Sequence, residues 1–124
     1  MENRNVLITG ATGDLGQAIY KDLINNKNLT IFVHGKDFSS LKCLYPEETK
    51  KGLYLLADFS SISKLEKKIR VFPYHIDIII NNAGNYESAE LTKLSSSNVL
   101  AQININYLSA LLLVHHFLKK MKQN

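Results

Sequence analysis

The stretch 6–16, Val-Leu-Ile-Thr-Gly-Ala-Thr-Gly-Asp-Leu-Gly, leaves a chain of this length few ways to fold. Val6, Leu7 and Ile8 are strand formers that run straight into glycines at positions 10, 13 and 16. From about residue 13 to 25 the apolar residues recur at helical spacing, with Leu15, Ala18, Ile19 and Leu23 on one side. Strand, glycine turn and helix in that order is what a dinucleotide-binding loop needs. Glycines let the backbone turn tightly and approach a pyrophosphate, and the first amides of the helix then meet the phosphate charge. The spacing is G-x-x-G-x-x-G rather than the commoner G-x-G-x-x-G, so the same residues also fit a glycine turn with no ligand.

The rest of the chain repeats the pattern. With 124 residues, 45% of them hydrophobic and 21% charged, it has the size and balance of one globular domain, 1–124. Residues 29–33 form a nearly continuous apolar run, as a buried parallel strand requires. Ser39 or Ser40 is placed to cap a short helix through Leu41 and Leu44, and Pro46 with Glu47 and Glu48 closes or restarts it. A third strand is expected over 53–57. Ser60 or Ser61 is placed to cap the next helix, which has Ile62, Leu65 and Ile69 inside and Lys64, Lys67, Lys68 and Arg70 around its wet side. Residues 76–80 form the fourth strand. Alternating strands and helices predict an α/β fold, a doubly wound parallel sheet with helices on both faces.

The strand ends carry the candidate ligand residues. In this architecture the adenosine ribose arrives at the end of the second strand, where an acid bonds the hydroxyls and a base accommodates a 2′-phosphate. Residues 29–33 end without an acid, and Lys36 follows Gly35. This favours NADP, with NAD as the alternative because Asp37 is adjacent; Lys36 also fits a plain surface lysine. Asn81, Asn82, Ala83 and Gly84 follow the fourth strand, on the edge where open α/β sheets bind ligands, and also suit an Asn-rich turn.

One long helix is expected over about 98–122. Ile103, Tyr107, Ala110, Leu111, Val114, Phe117, Leu118 and Met121 fall on one wide stripe, with Ile105, Leu108 and Leu112 on a second patch that suggests a partner. His115 and His116 are neighbours and do not share a helix face, so no metal site is expected. The net charge of +4 comes from scattered lysines and arginines with no aromatic interleaving, so no nucleic-acid partner is expected. No leader or membrane span is expected. The lone Cys43 fits a reducing, cytoplasmic setting.

Taken together, these motifs resemble the short-chain dehydrogenase/reductase superfamily. Thr9 and Gly10 through Gly16 look like its cofactor loop. Asp58, after the third strand, falls where family members hold the adenine amino group. Asn81 to Gly84 match its Asn-Asn-Ala-Gly motif, and Asn106 falls where the family kinks its long helix and holds a water in a proton relay. The resemblance implies a Rossmann-type sheet of four strands in the order 3-2-1-4 with a long C-terminal helix, truncated relative to the family. It implies cofactor contacts from Gly10, Thr12, Gly13, Asp14, Leu15, Gly16, Lys36, Asp58, Phe59, Asn82, Ala83 and Gly84, with Asn106 as the catalytic residue present.

Two departures qualify what the resemblance implies. The family's usual loop, T-G-x-x-x-G-x-G, would put glycine at 14, where this chain has Asp14. That acid brings negative charge near the pyrophosphate, or simply favours the helix dipole. The family's catalytic serine and Tyr-x-x-x-Lys are also missing: the six tyrosines are followed four residues on by Ile24, Thr49, Asp58, Ile78, Glu90 and Leu111. Reduction of a ketone by hydride needs a proton donor, and a phenol of pKa ~10 is poor at neutral pH without a nearby cation. The leading expectation is the N-terminal half of an NADP-dependent reductase, resembling 3-oxoacyl thioester reductases and inactive alone. Its partner is the missing C-terminal half or a second copy, met through the last helix. The alternative is a non-catalytic dinucleotide-binding module that dimerises through that helix. A flavodoxin-like or response-regulator-like fold needs five strands, and the sequence offers four.

Overall fold

A computed structural model of the protein describes residues 2–86 and 88–121. Strands β1 (Arg4–Ile8), β2 (Leu29–Gly35), β3 (Tyr54–Leu56) and β4 (Ile78–Ile80) form one parallel sheet in the order β3-β2-β1-β4, as expected. β1 lies inside it, with Leu7 paired to Phe32 on one side and to Ile79 on the other. The two-residue period of the strands divides the core into two layers. Val6, Ile8, Ile31 and Val33 meet Leu41 and Tyr45, under α1 (Asp14–Leu23), α2 (Phe38–Leu44) and α3 (Pro46–Lys50). Leu7, Phe32 and Leu55 meet Leu65 and Ile69 of α4 (Ile62–Arg70), and Leu113 and Phe117 of the last helix. Each fully buried side chain of this size contributes about 1.5–3 kcal/mol of transfer free energy, so both layers hold the sheet.

Local chemistry sets the element ends. β2 runs on through His34 and Gly35, past the expected end at 33, because both are buried in the sheet. The α2 cap is Asp37, whose carboxylate accepts the Ser40 amide at 3.0 Å, and not Ser39 or Ser40 as the sequence suggests. Ser61 caps α4, one of the two serines expected there.

The last helix departs most from its sequence reading. It is continuous over Ser96–Leu118 and is built as α5 (Ser96–Ile103), a π-helical turn at Asn104–Leu108, and α6 (Ser109–Leu118). The expected end at Lys122 lies outside the described residues. Ser109, Leu113 and Phe117 are buried, and Ile105, Leu112 and Met121 pack against the same layer. Half of the expected inward stripe therefore points out: Ile103, Tyr107, Leu111 and Leu118 are exposed, the last three each by more than half. Two members of the supposed partner patch, Ile105 and Leu112, face the core. A wheel at uniform pitch cannot find this face, because apolar residues lie on several sides and the π turn adds a residue that shifts the phase. Contrary to the expectation of no such segment, the helix is long and apolar enough to cross a membrane by length and composition. Its inner face packs on the sheet.

Because the sheet is parallel, all four strands deliver their carboxyl ends to one edge. The segments leaving that edge hold nearly every ligand residue expected from the sequence.

Candidate functional site

The glycine loop leaves β1 through Gly10, whose φ of +63° is a left-handed conformation that glycine adopts without strain. A Cβ there would also lie 2.8 Å from Cα of Ala83. Gly16, in the first turns of α1, would place a Cβ 2.3 Å from the Gly10 carbonyl oxygen, so only glycine lets the helix sit this close to the loop. Gly13 differs: a Cβ there meets nothing nearer than 3.6 Å. Gly13 is the N-cap of α1 and brings no side chain to its amides, whereas Asp37, Ser61 and Ser95 cap α2, α4 and α5. Uncapped amides behind an open glycine fit a phosphate, whose charge the helix dipole favours. Asp14 and Leu15 are exposed in the first turn, and the Thr12 carbonyl accepts the Gln17 side-chain Nε2–H at 3.0 Å.

His34 ties this loop to the neighbouring strand ends. The Gly10 amide donates to its Nδ1 at 3.0 Å, so Nδ1 is the acceptor and the proton sits on Nε2, 2.9 Å from the Ala57 carbonyl. The ring stacks on Phe59 with centroids 3.9 Å apart, and burial pushes its pKa down to about 4. His34 is therefore neutral at pH 7, as both hydrogen bonds demand. From below, Tyr45 donates its hydroxyl to the Ala11 carbonyl.

Asp58 follows β3. Its Oδ1 accepts the Ser60 hydroxyl at 2.7 Å and the Ser60 amide at 2.9 Å. Those bonds hold its carboxyl below the usual range, and Lys36 and Lys64 add to the effect. Asp58 and Lys36 line one cavity of about 250 Å³. The Phe59 ring is buried in the core against His34, so what Phe59 offers at this edge is its backbone.

The segment after β4 is clamped from both sides. The Thr9 hydroxyl oxygen, itself buried, accepts the amides of Asn82 at 3.0 Å and Ala83 at 2.9 Å. The Asn82 carboxamide donates to the carbonyls of Thr9 and Gly10 at 3.1 and 3.2 Å, so this side chain braces the glycine loop. On the other flank the Asn106 carboxamide accepts the Asn85 amide and donates to the Asn85 carbonyl, both at 2.8 Å. Asn106 sits inside the π turn, and its Oδ1 would lie 3.2 Å from a Cβ on Gly84. The structure thus brings Gly10, Thr12, Gly13, Gly16, Asn82, Ala83, Gly84 and Asn106 to one end of the edge, with Lys36 and Asp58 at the other.

The family model for short chain dehydrogenases matches residues 4–124. The chain belongs to the short-chain dehydrogenase family. An uncharacterized short-chain type dehydrogenase/reductase of Sinorhizobium fredii is 34% identical over 116 residues, which cover 93% of this chain and 45% of that protein. The chain spans about half the length of the curated relatives it matches. Its fold is shared by a blue fluorescent protein from a metagenomic library, solved with NADPH, at a TM-score of 0.79 and 20% identity over 97% of this chain and 52% of that one. It is shared also by a 3-oxoacyl-[acyl-carrier protein] reductase of Brucella melitensis with bound NAD. There the TM-score is 0.78 and the identity 20%, over 96% of this chain and 48% of that one.

For a short-chain dehydrogenase the proton-donating half of the site is as informative as the loop. Burial pushes the Tyr45 phenol up to about 12, and burial and Glu48 push Tyr20 further in the same direction. A catalytic phenol must move the other way. What these residues assemble is an open backbone cradle at the carboxyl edge of the sheet. His34, Thr9 and Tyr45, which hold that cradle in shape, carry no motif of their own; the one sequence sign is a histidine at the end of an apolar strand just before glycine.

Proposed function

We propose that the chain is the cofactor-binding half of an NADP-dependent oxidoreductase that interconverts a carbonyl and a hydroxyl by hydride transfer. The observation that carries this reading is the open, uncapped N-terminus of α1 at Gly13, with Gly10 and Gly16 both in positions no other residue fills. The pyrophosphate would lie on the amides of 13–16, and the adenosine between Lys36 and Asp58. Lys36 supports the 2′-phosphorylated cofactor over NAD, because the neighbouring Asp37 carboxylate is turned to the α2 cap. When bound, the dinucleotide supplies the hydride. Asn106 is the one residue of the family's proton relay that these residues provide, so the chain alone binds without turnover and the proton donors lie in a longer protein or a partner. A cytoplasmic location is supported by the single, unbridged Cys43.

Gly13→Asp tests this reading. The φ and ψ at Gly13, −78° and 166°, suit an aspartate cap, which would add about a few tenths of a kcal/mol to stability. Its carboxylate would occupy the amides meant for phosphate. Fluorescence titration with NADPH should show binding to the natural chain and none to the stably folded variant; equal binding would refute the reading.

A second reading rests on the outward face of the last helix, where Leu100, Ile103, Tyr107, Leu111 and Leu118 are exposed. A face this apolar supports pairing of two copies, or docking of the missing half, through α5 and α6. Sedimentation equilibrium distinguishes these readings: a dimer that Tyr107→Glu with Leu111→Glu dissolves supports pairing of copies.

A further inference from the structure

Beside Asp58 the chain carries more positive charge than cofactor binding by Lys36 alone requires. Lys64, Lys67 and Lys68 stand at i, i+3 and i+4 on α4, on one face of that helix, while Leu65 and Ile69 turn into the core. The three lysines and Lys36, from the other side, line the same cavity of about 250 Å³, with Asp58 at its wall. Four lysine side chains therefore line the cavity beside one carboxylate that Ser60 already holds through Oδ1. Lys36 and Lys64 are the two whose charge acts on Asp58. The others form a positive rim on an open cavity, an arrangement suited to a group with two negative charges and several acceptor oxygens.

We propose that Lys64, Lys67 and Lys68 form, with Lys36, a phosphate clamp on the Asp58 cavity, selecting dinucleotides whose adenosine ribose carries an additional phosphate. The inference rests on the dinucleotide reading above and adds specificity-determining residues from a helix outside the strand-end motifs. Because the lysine heads reach into solvent, the preference falls as salt rises.

Calorimetric titration of the full chain at low salt with adenosine 2′,5′-bisphosphate and adenosine 5′-monophosphate tests the clamp, with Lys64→Gln/Lys67→Gln/Lys68→Gln as the variant. Exposed glutamines on α4 leave its buried face intact, which circular dichroism checks. The expected result is a bisphosphate bound about tenfold or more tightly than the monophosphate, with the gap lost in the variant and the monophosphate affinity unchanged. A gap that is absent, or that survives in the variant, overturns the clamp while monophosphate binding leaves the dinucleotide reading standing. Failure of both probes to bind overturns the dinucleotide reading and the clamp with it.

Discussion

His34 should make this protein acid-labile well above the carboxylate range. Its pKa is about 4 in the fold against 6.5 when free, with burial as the cause. The unfolded chain therefore binds the proton more readily, and stability falls with pH once pH drops below about 6.5 and continues to fall toward 4. Integrating the two titrations gives a loss of about 2 kcal/mol between pH 7 and pH 5, and about 3 kcal/mol by pH 4. Geometry agrees in sign: a proton on Nδ1 would face the Gly10 amide, itself a donor 3.0 Å away. Asp37 and Asp58, whose carboxyls are held low, contribute in the same direction at lower pH. His34→Phe separates the effects, since it keeps the stack on Phe59 and removes the titrating group. Urea unfolding at pH 7, 6 and 5 should show the natural chain losing about 2 kcal/mol more than the variant over that range. The variant itself should start about 2–4 kcal/mol less stable, with the Gly10 amide and Ala57 carbonyl left unpaired. Equal pH slopes for the two proteins would refute the placement of a neutral, doubly bonded His34.

The two glycines of the helix start should respond oppositely to one methyl group. Gly16→Ala forces a Cβ onto the Gly10 carbonyl and should cost at least about 2 kcal/mol, whereas Gly13→Ala should stay within about 0.5 kcal/mol, both read by thermal unfolding. Thr9→Val leaves the amides of Asn82 and Ala83 without their shared acceptor; denaturant unfolding should show a loss of about 2–3 kcal/mol, and hydrogen exchange at those amides should accelerate. Leu113→Ala should cost about 2–5 kcal/mol and Leu111→Ala under about 1 kcal/mol, an ordering that tests which helix face is inward.

The parts of the fold visible in the sequence are those fixed by neighbours in the chain. Val6, Leu7 and Ile8 followed by glycines specify strand and turn without reference to anything distant; the alternation of strands and helices predicts the parallel sheet, and the family resemblance implies the strand order that the structure shows. Lys36 is legible for the same reason, as a residue that follows an apolar strand, and Asp58 through the family resemblance. The last helix is not, because Leu111 and Leu113 are equally apolar and only the sheet decides between them. His34 and Phe59 depend on partners 23 and 25 residues apart along the chain, on different strand ends, so the stack and the hydrogen bond to Ala57 emerge only with the tertiary fold. Asn82 shows a further limit: its motif marks the right edge, while the carboxamide braces the loop's carbonyls.

The proposed dinucleotide lies along the carboxyl edge of the sheet, with its pyrophosphate on the start of α1. Amide chemical-shift mapping of the chain titrated with NADP tests it directly. The largest shifts are expected at Gly10, Gly13, Asp14 and Gly16, with a second group at Lys36, Asp58 and Gly84. Shifts confined to Glu66, Arg70, His115 and His116, which line a separate cavity between α4 and the last helix, would contradict it.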